Sequence, residues 1–171
     1  MNIIRYILIL FFYFSFIDNV QAFMDSENKG AQGTGREDLS YLDSKNSNFK
    51  KGKIALKQAL KFQKKNKTKK ANKRFEDALE YFILAYNESS ESVEILSYLG
   101  LTYNKVGDLT MSEIYYQQGL IIDPKNNLIN QKLGELYFNT KRVNLAKERL
   151  EVLISCNCQE YLNLKNIIEK K

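Results

Sequence analysis

The chain has 171 residues, 44% hydrophobic and 27% charged, with a net charge of +6, two cysteines, one proline and no histidine or tryptophan. Without histidine it lacks the commonest general base and the commonest metal ligand, and two thiols alone make an incomplete zinc site, so neither a catalytic centre nor a metal site is predicted. The carboxylates fall at surface helical spacings, as in Glu88, Glu91 and Glu94, and Gly33-x-Gly35 precedes no strand-to-helix turn. The expectation is a protein without enzymatic activity or cofactor.

Residues 1–22 read as a secretory signal. Arg5 supplies a positive charge, Tyr6 to Ile17 carry none, and Val20-Gln21-Ala22 offers a small residue at the cleavage position. An apolar run of this length is too short for a bilayer core of about 30 Å. The reading is therefore an exported protein, periplasmic or secreted, whose mature chain begins at Phe23; the alternative is an uncleaved anchor holding it to a membrane through its N-terminus. Residues 23–48, with Gly30, Gly33 and Gly35 among Ser, Asn and Asp, offer little apolar surface to offset ordering entropy and read as a flexible leader.

Residues 49–171 form the predicted folded domain, and its order is set by a repeat. Leu99-Gly100-x-x-Tyr103 recurs 34 residues later as Leu133-Gly134-x-x-Tyr137. Units beginning at Val93 and Asn127 bring Ser112 over Ala146 and Tyr116 over Leu150, with Asp123-Pro124 closing the first. A period of this length predicts stacked helix pairs, each burying its apolar stripe on the next. Upstream, Ala71, Phe75 and Ala78 satisfy the second-helix pattern, and seven residues on Ala78, Phe82 and Ala85 satisfy it again. Seven residues is about two helical turns and keeps the same face inward. Residues 52–92 are thus read as a unit with an extended second helix, Ala59 at the glycine site and Phe62 at the tyrosine site. The units are 52–92, 93–126 and 127–160, and Leu162, Leu164, Ile167 and Ile168 predict a capping helix over 161–171.

Leu99, Gly100, Tyr103, Gly107, Asp108, Tyr116 and Pro124 give residues 93–126 a resemblance to the tetratricopeptide repeat (TPR), a family of helix-turn-helix units that bind peptides and proteins. Residues 127–160 depart from it, with Lys141 for the turn glycine and Leu153 for a small residue. The resemblance implies an all-α solenoid of about three units. It also implies a concave face lined by Lys53, Leu56, Leu60 and Gln63, by Glu94, Ser97, Leu101 and Asn104, and by Leu128, Gln131, Glu135 and Phe138. The Lys and Asn set with which some relatives clamp a terminal carboxylate is missing. For Leu56, Leu60 and Leu101, groove and core readings both stand, since apolar residues at helical spacing are usually core.

Charge falls in blocks. Ser44 to Arg74 hold 13 Lys or Arg and no acid, whereas Phe75 to Lys171 hold 10 basic and 14 acidic residues. Lys57, Lys61, Lys64 and Lys65 are candidates for contact with an anionic surface, the other account being a solvated helical face. Export directs such charge toward an anionic membrane or envelope polymer and away from nucleic acid. Cys156-Asn157-Cys158 sits where neighbours at i and i+2 can bridge in a tight turn; a local disulfide or two packed thiols is the first reading, a redox or intermolecular role the second, and metal binding the last, since two thiolates without His make an incomplete zinc site. Two functions follow: an exported adaptor holding a protein or peptide in its concave groove, or an envelope-associated structural protein docking through its basic first hairpin.

Overall fold

The computed structural model describes residues 39–169, with side chains from Ser47 onward. The predicted signal at 1–22 and residues 23–38 of the leader lie outside the described residues, as do Lys170 and Lys171. Among the described residues seven α-helices follow one another: α1 (Leu39–Lys64), α2 (Thr68–Glu88), α3 (Val93–Val106), α4 (Leu109–Ile122), α5 (Asn127–Asn139), α6 (Val143–Leu153) and α7 (Gln159–Glu169), with a 3-10 turn over Ile154–Cys156. Among the described residues there is no strand, and no helix is long and apolar enough to cross a membrane.

The repeat boundaries have local causes. Ser92, Asp108 and Asn126 cap α3, α4 and α5 by accepting the backbone N–H of Ile95, Met111 and Ile129 at 3.4, 3.0 and 3.1 Å. Each cap satisfies a donor that the first turn of a helix leaves free. α3 thus starts at Val93 and α5 at Asn127. The link between them is held by Asn130, fully buried, whose side-chain amide donates to the carbonyls of Pro124 and Asn126, both at 3.0 Å.

All three hairpins turn in the same way. Asn66, Gly107 and Lys141 adopt φ of +55°, +91° and +65°. The residues after them, Lys67, Asp108 and Arg142, donate to the carbonyls of Phe62, Tyr103 and Tyr137 at 3.0, 3.0 and 2.8 Å. A left-handed residue is what this helix ending requires. Lys141 therefore makes the turn that Gly107 makes, at a cost of about 1 kcal/mol for a side chain in that region. The shared turn also places Phe62 where Tyr103 and Tyr137 stand, as predicted.

The first hairpin differs from its predicted form. A Cβ built on Gly52 would lie 2.6 Å from the Phe82 ring, as one on Gly100 would lie 2.5 Å from the Tyr116 ring. Gly52 and Phe82 therefore form the close contact that Gly100 and Tyr116 form, while Ala59 and Phe75, both buried, occupy the equivalent level nearer the turn. The insertion lengthens both arms, not the second helix alone, because an antiparallel pair stays in register only if each arm gains the same two turns. The leader is shorter than predicted, since α1 already runs from Leu39 through Asn48. There Asn48 donates to Glu88 Oε1 at 2.8 Å, tying the arms together.

Aromatic rings join the first hairpin to the second: Phe82 lies 5.2 Å and Phe49 5.4 Å from Tyr98, and Tyr86 lies 5.8 Å from Tyr115, which stacks on Tyr103 within the second hairpin at 5.4 Å. At the other end α7 begins at Gln159, two residues before the predicted start, and buries Leu164 beside Gly134. In the bend before it Cys156 and Cys158 are disulfide-bonded, with Cα atoms 5.1 Å apart and Asn157 between them at φ +46°.

Tyr116 provides a test by pH. Burial, and then the Glu135 carboxylate, push its hydroxyl above the ordinary tyrosine value of 10.0. The folded state thus holds this proton where the unfolded chain releases it. The stability so contributed is whole below pH 10 and is lost as pH rises further, by about 1.4 kcal/mol per unit for this one group. Denaturation at pH 9, 10 and 11 should show that decline, and Tyr116→Phe should flatten it; an equal slope in the variant would assign the decline to other groups.

Candidate functional site

The first helix of each hairpin, α1, α3 and α5, lines one side of the stack, and two recesses open there. The larger, about 800 Å³, lies between α1 and α3. Its floor is Leu56, Leu60, Tyr98 and Leu101, and its rim is Lys53, Lys57, Lys61, Lys64 and Lys65. The middle of α1 meets the N-terminal half of α3, where Phe49 packs on Tyr98 and Lys53 reaches Glu94 at 3.5 Å. Beyond that point α3 ends at Val106 while α1 continues on its two extra turns. Leu60, Lys61 and Lys64 stand on that overhang.

The register of α1 creates the chemistry. Lys53, Lys57 and Lys61 recur every fourth residue, so they form a row along one face, and Leu56 and Leu60 form a parallel row beside it. Lys53 also lies 4.9 Å above the Phe49 ring and 5.7 Å from that of Tyr98, which holds its stem against the floor. No residue lining this recess carries a carboxylate.

The smaller recess, about 60 Å³, lies between α3 and α5 and is polar, with Asn104, Lys105, Lys132, Glu135 and Asn139 around Leu101. Glu135 accepts from Lys132 at 3.1 Å and from Gln131, so its charge is already matched.

The predicted groove residues divide accordingly. Leu101, Asn104 and Glu135 come together, with Leu101 shared by both recesses. Glu94 is exposed at the edge. Ser97 and Gln131 are buried, 7% and 4% exposed, and offer no contact surface; the helix crossing turns these positions into the neighbouring helices. Phe138 packs against the second core cluster, and Leu128, 45% exposed, lines neither recess. Lys57, Lys61, Lys64 and Lys65, predicted as a surface separate from the groove, are its rim. Leu56 is both buried and floor. Tyr98, Lys105 and Lys132 were not singled out from sequence; a row of lysines beside a row of leucines on one helix was the legible signal for this side.

Solved structures share this architecture. The second TPR domain of human RPAP3, solved with an HSP70 peptide, matches with a TM-score of 0.55 at 16% identity over 74% of this chain and 99% of that one. The Arabidopsis OM64 TPR domain matches with a TM-score of 0.54 at 12% identity, over 72% and 98% of the two chains. The first TPR of Spaghetti (RPAP3), bound to an HSP90 peptide, matches with a TM-score of 0.51 at 16% identity, over 70% and 91%. At these identities the likeness establishes a TPR-like fold. No curated protein matches the chain. Residues 38–158 match the profile of a family described as an uncharacterized protein conserved in bacteria, DUF2225, and the chain belongs to that family.

Proposed function

We propose that this protein is an exported, non-enzymatic TPR-like scaffold that holds a protein or peptide against the side lined by α1, α3 and α5. The observation that carries the reading is the recess between α1 and α3, an apolar floor with charged edges and room for side chains of a partner. Two structures of the same fold were solved with peptides bound, which supports a peptide as the class of ligand. A second reading, docking of the first hairpin on an anionic envelope surface, draws support from a separate basic patch at its tip, where Lys69, Lys70, Lys73 and Arg74 surround Phe62.

Photo-crosslinking in the native host separates them. A crosslinker replacing Leu101 or Asn104 should capture a discrete protein, whereas one replacing Ile121, 80% exposed on α4, should not. Equal capture from both positions, or none from Leu101 and Asn104, would defeat the scaffold reading. Export has its own measurement: mass spectrometry of the native protein should find Phe23 or a near neighbour at the N-terminus, and an intact Met1 would rule out the cleaved signal.

A further inference from the structure

We propose that the α1–α3 groove selects an internal acidic segment of a partner protein, one in which apolar side chains are interspersed with carboxylates. This rests on the scaffold reading and specifies its ligand. The floor asks for apolar groups, because the exposed parts of Leu60 and Leu101, beside the already buried Leu56, gain only by displacing water. The rim asks for negative charge, because five lysines flank that floor along α1 and, among the described residues, only Lys53 pairs with a carboxylate, that of Glu94. Both demands run in the same direction along α1. From Lys53 to Lys64 the helix rises about 16 Å, so the complementary ligand is a run of several residues rather than a single end group.

The two-turn overhang is what makes the groove long. Were α1 to end level with α3, Leu60, Lys61 and Lys64 would have no place, and a short apolar notch beside Lys53 and Lys57 would remain. The extension therefore adds ligand-facing surface, and the second arm supports it from behind through Ala71, Phe75 and Ala78, all buried.

Other anionic ligands fit less well. A planar headgroup layer meets the lysines of a recess but cannot follow the floor, which lies below them. Nucleic acid finds point charges without the planar forks that read phosphate, and Tyr98, already packed against Phe49, Phe82 and Lys53, is the one aromatic ring lining the recess, too few for a row of stacked bases.

The test uses the full-length chain and a fluorescent peptide of about fourteen Glu and Leu residues, amidated at its C-terminus, long enough to span the groove. Anisotropy should report saturable binding that weakens about fivefold between 50 and 300 mM salt. A Gln-for-Glu analogue and a Ser-for-Leu analogue should each bind about tenfold more weakly. Lys57→Glu with Lys61→Glu should weaken binding about tenfold or more, and Lys57→Gln with Lys61→Gln by less. Both positions are exposed, and circular dichroism verifies that the variants fold. Binding indifferent to the lysine reversals would overturn the proposal. So would binding of the Ser-for-Leu analogue as tight as the parent, binding that needs a free terminal carboxylate, or tighter binding to anionic phosphatidylglycerol vesicles than to the peptide. If Leu101 still crosslinks its native partner in the lysine-reversed protein, the scaffold stands and the acidic ligand falls; if Leu101 captures nothing even in the parent chain, the scaffold reading fails first.

Discussion

Replacing Phe82 with alanine is expected to lower stability by about 3–5 kcal/mol, the cost of emptying a large ring from a closed core. Phe82 is fully buried and does two jobs. Its ring lies against the backbone of Gly52, holding the arms of the first hairpin together, and it packs 5.9 Å from Phe49 and 5.2 Å from Tyr98, joining that hairpin to the second. Neither side can collapse into the space without pulling α1 away from α2 or α3. Total stabilities of domains are about 5–15 kcal/mol, so the variant should unfold at a much lower denaturant concentration. A loss under about 1.5 kcal/mol would mean that the contact between Gly52 and Phe82 does not set the register of the hairpin. Phe75→Ala, one level nearer the turn, removes an equally buried ring without touching the junction and separates the two roles.

Gly100→Leu is the second large effect, a loss of about 1–3 kcal/mol from overpacking. Even a bare Cβ would come within 2.5 Å of two atoms of the Tyr116 ring. That ring is 1% exposed and has nowhere to swing, so α3 and α4 must separate. The companion Gly107→Ala meets nothing within 4 Å, and its cost comes only from φ +91°, about 1 kcal/mol. Combining Gly100→Ala with Tyr116→Leu should recover part of the loss, because a smaller side chain leaves room for the new methyl. Urea denaturation of the two singles and the double gives the coupling, and strictly additive losses would deny that the positions touch.

The local order of this protein was legible because its causes are local. Apolar residues at helical spacing and a 34-residue period between two Leu-Gly-x-x-Tyr patterns identify the helices of the second and third hairpins. The first hairpin was only half legible. A shift of seven residues keeps the same face of a helix inward, so Ala71-Phe75-Ala78 and Ala78-Phe82-Ala85 look alike along the chain. Only the antiparallel partner distinguishes them, by placing Gly52 against Phe82 and showing that both arms are longer. Lys141 was read as a departure and nevertheless makes the turn, since backbone hydrogen bonds to Tyr137 and Phe138 offset its strain.

What the sequence determined by itself is the repeat, its all-α character, the basic first hairpin and the absence of histidine chemistry, each a property of residue type and spacing. What only the tertiary structure decided is which of those residues meet. Ser97 and Gln131 share the helix face predicted for a groove, yet the helix crossing buries them. Lys57 and Leu101 are 44 residues apart in the chain and belong by sequence to two separate predicted surfaces, yet the overhang of α1 beside α3 makes them rim and floor of one groove. A groove between helices depends on their relative placement, which is set by the rings packed at their junction and by the length of each arm, and neither is encoded within one period of a helix.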